Sequence, residues 1–385
     1  MSDLWRGTAV LVVSDTDWSG MMLQKQHWAI RFAAEGLPVC YVNKTPQRPA
    51  RLHDFTRLSG LLRGRGLSPG HIARSRPAPD GVEVVNLRLM PPTAPFDRWN
   101  RHVVTAFARR LARRWPRLCM LTYTPTPAML HLLRTLDPWL SAYVCVHHLA
   151  GTPGIPMTVL DAERQLATEV DEVFCDARFL AEKWTAYLGR PVPRSLPGCD
   201  PDRFRTAWRG DELQRARVVG FFGSSFTELD LACYRAVVEA GYALRFIGPR
   251  SAAIAERFGR KVEWLPPVAS EDLPAALRDI DILLLAYRNS ERNRGVIPGK
   301  FFECLATGKP LLISPLPDMR EYVDCVTIVR DPGEVVTALA SLSQDRSSQA
   351  VARRFEIASS ASWENRFEQL RSALARAAAR SGRQG

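Results

Sequence analysis

The chain has 385 residues, 46% of them hydrophobic, enough for two α/β-sized cores rather than one. No apolar run approaches the roughly 18 residues of a membrane span, and the start MSDLWRGTAVLVVSD lacks the charged-then-apolar pattern of a secretory signal. The net charge of +12 is lopsided: residues 1–120 hold 19 Lys+Arg against 8 Asp+Glu, which leaves 33 against 32 for the remainder.

TAVLVVS (8–14) predicts a buried strand. The turn DTDWSG follows, and then helical spacing over 21–35, ended by Gly36. PVCYVN (38–43) closes a β-α-β unit, which calls for a parallel sheet. Residues 44–80 are rich in Arg, Pro and Gly and predict loop. VEVVNL (82–87), RLCMLTY (117–123), SAYVCVH (141–147) and DEVFCD (171–176) predict strands, with a helix over 96–115. SLPGCDPDRF (195–204) breaks the pattern. A second cycle follows, with strands at 217–223, 244–248, 262–265, 281–287, 310–314 and 325–329 and helices at 228–241, 251–258, 270–278 and 298–307. After the Ser-rich 341–362, a helix over 363–380 closes the chain. The expected class is α/β, two doubly wound domains over 1–200 and 201–360, followed by a helix and tail over 361–385. The eight cysteines are scattered without a C-x-x-C pair and read as buried thiols of a reducing cytoplasm.

The segment VIPGKFFECLATGKPLLISP (296–315) holds two of the only six lysines in the chain, Lys300 and Lys309. Pro298 suits a first helical turn and Gly308 the residue after the last. Lys300 and Glu303 then lie three apart on one face. Alone, such a pair is an ordinary surface ion pair. At the carboxyl end of a sheet, however, a lysine beside a helix N-terminus suits a phosphate, and a carboxylate one turn on can accept hydrogen bonds from two neighbouring hydroxyls. Phosphate and ribose at that spacing describe a nucleotide.

The same segment resembles the donor-binding text of GT-B glycosyltransferases of the family 4-like and teichuronic-acid-type group, P-x-K-[hydrophobic]-F-E-Y-L-A-A-G-K-P. It matches at Pro298, Lys300, Phe302, Glu303, Leu305, Ala306, Gly308, Lys309 and Pro310. WSGMMLQKQHWAIRFAAEGLPVCYV, RVVGFFGSSFTELD and WLPPVASEDLPAALRDIDILLLAYR are similar to three further segments of that group, in the same order. The resemblance implies a GT-B fold, with two Rossmann-like domains facing across a cleft and the last helix crossing back to the first domain. It implies a glycosyltransferase that uses a nucleotide-diphosphate sugar as co-substrate and a lipid-linked, polysaccharide or other glycan acceptor, with no cofactor. By the same resemblance Lys300 pairs with the pyrophosphate and Glu303 with the ribose. Gly223 and Ser224 offer backbone N–H groups, Arg250 adds a second phosphate cation, Val268 lies beside the base, and Arg288 points to the same place. Many members carry another glutamate where this chain has Gly295. A catalytically silent relative that scaffolds a glycan-assembly complex is the alternative.

On the first domain, His147 and His148 end a strand; the resemblance implies a histidine or aspartate there that reaches the donor sugar, with His147 the candidate and His148 next, and a pair of loop histidines is the other reading. Asp17 is the carboxylate an inverting enzyme would use as base, or else a helix cap, and Gly20 permits close approach beside it. D-T-D (15–17) and D-I-D (279–281) tempt a metal reading, but lysine, arginine and a helix end already supply the positive charge, and no metal is expected. The Arg-rich stretch 98–117 reads as an amphipathic helix, with docking to an anionic inner membrane surface as its sharper meaning. The expected location is cytoplasmic, peripheral on the inner face of the membrane. The basic isoelectric point alone does not make a specific nucleic-acid binder, because no recognition helix or stacking motif accompanies it.

Overall fold

The computed structural model describes residues 3–48, 77–210, 217–223, 226–342 and 348–382; most of the 44–80 loop expectation, and Ser224, lie outside them. The apolar runs of the first half become β1 (Ala9–Val13), β2 (Val39–Val42), β3 (Val82–Val85), β4 (Leu118–Thr122), β5 (Leu140–Cys145) and β6 (Glu172–Cys175). They pair in parallel in the order β3-β2-β1-β4-β5-β6. Every residue of β1, β4 and β5 is buried. Such continuous apolar strands suit a parallel sheet covered on both faces, where alternation would serve no purpose. The cover comes from amphipathic helices such as Asp97–Arg114, which buries Val104, Phe107, Ala108 and Leu111 and leaves its arginines outside.

The second sheet comprises β7 (Val218–Phe222), β8 (Ala243–Ile247), β9 (Val262–Leu265), β10 (Ile282–Leu285), β11 (Leu311–Ile313) and β12 (Thr327–Ile328). Its order is β12-β11-β10-β7-β8-β9, again parallel throughout. Read from its other edge, this repeats the order of the first sheet. Both are the doubly wound dinucleotide-fold order, whose switch point lies between the first and fourth strands. For the first sheet that is β1 beside β4, and for the second β7 beside β10. The strand topology therefore names the two sheet ends where ligand chemistry belongs.

The chain divides into two units, the first ending at Leu196 and resuming at Phe367, the second running over Pro197–Arg366. In the first unit the Phe367 ring lies 4.8 Å from Phe32 and 5.9 Å from Trp28. Farther along the same helix (Trp363–Arg380), Arg371 pairs with Glu35, and Arg380 reaches the buried Glu172 at 2.5 Å. The helices Pro332–Ser341 and Ser348–Ser360 add to the expected elements; in the second, serine-rich text hides the spacing of Val351, Arg354 and Ala358, which it buries. Arg354 is fully buried and donates to the carbonyls of Cys325 at 3.0 Å and Gly308 at 3.3 Å. All eight cysteines are buried, and none forms a disulfide.

Candidate functional site

At the carboxyl end of β7 the chain turns through Gly223, whose φ of +119° favours glycine. The Gly223 N–H donates to the Ile247 carbonyl at 2.9 Å, extending the ladder to β8. It is therefore not the phosphate donor expected from the sequence. Its value lies in the missing side chain: a Cβ there would stand 2.3 Å from the Lys300 Nζ. That ammonium donates to the Phe222 carbonyl at 2.5 Å and sits 4.2 Å from the centre of the Phe221 ring. Glycine and lysine fit because each leaves room for the other.

The helix that carries Lys300 is shorter than expected. It runs over Phe301–Ala306, with Lys300 at the capping position and Glu303 in the first turn. The lysine reaches back to the sheet instead of along the helix, and it forms no ion pair with Glu303. The surface ion-pair reading is thus overturned. Both side chains are half-buried. Among the described residues Glu303 has no hydrogen-bond partner. Burial pulls the Lys300 ammonium down to about 8 against the opposing charge of Glu303. Burial pushes the Glu303 carboxyl up to about 7, although the charges of Lys300 and Arg203 resist it. An unpaired carboxylate and an ammonium with two unused donors stand one helical turn apart, ready for a ligand bearing acceptors at one end and hydroxyls at the other.

Arg250 follows β8, is exposed, and has no partner among the described residues. Val268 is half-buried in the loop after β9. Arg288 follows β10 but is engaged: it donates to the Thr227 carbonyl and lies 3.9 Å from the Glu228 carboxylate, which Arg292 holds at 2.9 Å. Glu228 was not singled out from sequence, and Gly295 ends the short helix Glu291–Arg294 beyond it.

In the first unit the carboxylate that meets the candidate histidine is not Asp17. Asp17 is exposed, and its side chain has no partner among the described residues. It does not cap the next helix either, since Leu23 holds that position before Gln24–Ala34. Gly20 only closes the turn, donating to the Asp17 carbonyl at 3.1 Å. The carboxylate that reaches His147 is Asp15, at 3.0 Å from Nε2, and its other oxygen pairs with the buried Lys25. Burial alone would raise the Asp15 carboxyl, but the His147 hydrogen bond and the Lys25 charge win and hold it well below the usual range. The signal available in sequence was Lys25 itself, a scarce lysine within an apolar-spaced helix, which needs a buried counter-charge. His148 packs edge-on against Phe179 at 4.9 Å. Among the described residues no group of three or more His, Cys, Asp or Glu is placed to hold a metal ion, and the D-I-D acids Asp279 and Asp281 both meet Arg209, at 3.0 and 3.2 Å.

Two parallel sheets of this order, with flanking helices, give the chain the two-domain α/β fold of GT-B glycosyltransferases. Residues 231–372, which include Lys300 and Glu303, match the family model described as glycosyl transferase-like. The chain is similar to TuaH of Bacillus subtilis strain 168, assigned as a teichuronic acid biosynthesis glycosyltransferase, with 30% identity over 107 residues. That match spans 26% of this chain and 27% of the relative. Among solved structures, sucrose-phosphate synthase from Thermosynechococcus elongatus aligns over 96% of this chain and 98% of its own, with 12% identity and a TM-score of 0.65. Anabaena HepE in complex with UDP aligns over 95% and 99%, with 14% identity and a TM-score of 0.65.

Proposed function

We propose that this protein is a glycosyltransferase that takes a sugar from a nucleotide-diphosphate donor and passes it to a hydroxyl of a lipid-linked, polysaccharide or other glycan acceptor. The observation that carries this is the separation of Lys300 from Glu303 at the β7/β10 switch point. One donor of Lys300 rests on the Phe222 carbonyl and two are left for pyrophosphate oxygens. Glu303 accepts the two ribose hydroxyls, and Arg250 adds charge from the end of β8. With cations at the leaving diphosphate, no step is assigned to a metal. The resemblance to TuaH and to HepE, the latter solved with UDP, supports the same reading.

The test is turnover and binding across a panel of nucleotide-diphosphate sugars, followed by mass spectrometry and calorimetry over a range of pH. In the free enzyme Glu303 must be ionised and Lys300 protonated. For the preferred donor, kcat/KM is expected to rise as pH increases through about 7 and to fall beyond about 8. Lys300→Arg should move the falling limb to higher pH, because guanidinium stays charged. Donor binding without turnover would favour the scaffold reading; neither binding nor turnover would end both.

For the acceptor we place the protein at an anionic inner membrane surface on the cytoplasmic side, through residues 98–117. Among the described residues no helix is long and apolar enough to cross a membrane. On Asp97–Arg114 the outward face presents Arg98, Arg109 and Arg113, with Trp99 half-exposed beside them. Arg110 and Arg114 are already spent on Glu83. With about 1 kcal/mol per basic residue near such a surface, R98Q/R109Q/R113Q together should weaken binding to phosphatidylglycerol vesicles by roughly two orders of magnitude at low salt. Sedimentation with vesicles measures this, and equal binding of the variant would remove the proposal.

A further inference from the structure

The cluster of Asp15, Lys25 and His147 at the carboxyl ends of β1 and β5 has a chemical consequence that needs no ligand to be seen. Asp15 is 10% exposed and Lys25 5% at the side chain, while the His147 side chain is 43% exposed. A buried carboxylate against a buried ammonium stays ionised, and an ionised carboxylate only accepts. Its oxygen lies 3.0 Å from His147 Nε2, so that nitrogen must carry the proton. The hydrogen bond made by one ring nitrogen decides what the other can do. Among the described residues no group hydrogen-bonds to Nδ1, and the side chain is 43% exposed. The backbone under the ring is also fixed: the Cys145 thiol contacts the His147 carbonyl at 3.6 Å, and Thr152 Oγ1 donates to the carbonyl of His148 at 2.9 Å.

We propose that Asp15, held ionised by Lys25, is a positioning residue that locks His147 in the Nε2–H tautomer and so presents Nδ1 as an acceptor for a substrate hydroxyl. The carboxylate and ammonium offset each other, so the pair orients the imidazole without adding net charge beside it. A histidine in the other tautomer would turn a donor to the same hydroxyl, which would then accept the bond and keep its own proton. The hydroxyl belongs to the sugar-transfer reading above; the tautomer does not depend on it.

The experiment separates the two. The protein is labelled with 15N-histidine and long-range 1H–15N spectra are recorded above pH 8, with His147→Gln used to assign the resonance. A neutral His147 with a protonated Nε2 and a bare Nδ1 is the expected pattern. A protonated Nδ1, or an averaged ring, would overturn the proposal whatever the enzyme does. In Asp15→Ala combined with Lys25→Met, which removes the charges together and spares the fold an unpaired ion, His147 should revert to a mixture of tautomers. A spectrum unchanged in that variant would also overturn it. If transfer is found, the double variant should lose kcat by about a hundredfold, the scale of one positioned proton acceptor, with donor KM nearly unchanged. Parallel loss of donor binding would mean a merely structural role. Failure of transfer in the wild type, with the tautomer as expected, would count against the sugar-transfer reading alone.

Discussion

Replacing Lys300 with methionine is expected to weaken binding of the nucleotide-diphosphate donor by about two orders of magnitude, because a hydrogen bond from a charged group is worth about 1.5–3 kcal/mol and Lys300 supplies two donors. Methionine fills most of the volume, so the fold should hold. Gly223→Ala should reproduce most of the loss without touching the charge. A Cβ at that position lies 2.3 Å from Nζ and 3.3 Å from Cε, so the ammonium must leave the Phe222 carbonyl. The residue also sits at a φ of +119°, and holding alanine there costs on the order of 1–3 kcal/mol of stability. The two changes act through one group and should not add. In the Lys300→Met background, Gly223→Ala should lower the melting temperature while leaving the residual donor affinity within about twofold. Calorimetry with the donor, alongside thermal unfolding, separates the two effects. Additive losses of affinity would show that Gly223 meets the donor by itself and does not act through Lys300.

That pair also shows how far the sequence reaches. Strand runs were legible because parallel strands buried on both faces read as unbroken apolar text, as in AVLVV and LCMLT. Lys300 and Glu303 were legible because proline, glycine and their spacing mark a helix. Three things were not. The helix is only Phe301–Ala306, since Lys300 leaves the helical path to reach the sheet. Gly223 was assigned a backbone donor that the neighbouring strand takes, a fact of pairing between residues about 25 apart. Local spacing also cannot tell which of Asp15 and Asp17, two residues apart, turns inward. The decision is made by Lys25 and His147 (the latter 132 residues away), and the His147 partnership is visible only once β1 and β5 share a sheet.

Asp281→Ala is expected to cost about 3–5 kcal/mol of stability, the usual effect of removing one partner of a buried ionic cluster. The D-I-D segment works as a brace. Asp281 is 4% exposed and leads β10. One oxygen accepts the backbone N–H groups of Arg217 at 2.7 Å and Val218 at 2.9 Å, pinning the start of β7, and the other meets Arg209 at 3.2 Å. Lys309, the second lysine of the segment, is fully buried and donates to the Arg278 carbonyl at 3.1 Å. Burial, then Arg209, pulls its ammonium down to about 8, while Asp281 opposes them. Alanine leaves two strand N–H groups unpaired and removes a counter-charge of both cations. Asp281→Asn keeps an acceptor and should cost less. The sign of the pH effect follows from Lys309. Its folded value lies below the unfolded one of about 10.4, so between about 8 and 10.4 the unfolded chain binds more protons and stability contributed by this group rises with pH. Below about 8 both states are protonated and the full penalty applies. Urea unfolding of the wild type and Lys309→Met across that range should therefore show a rise in the wild type that the variant lacks. Because Asp281 leads β10 whereas Lys300 works at the opposite, carboxyl ends of the same sheet, donor affinity of folded Asp281→Asn should stay close to wild type. A large loss of affinity without a loss of stability would instead place Asp281 in the binding site.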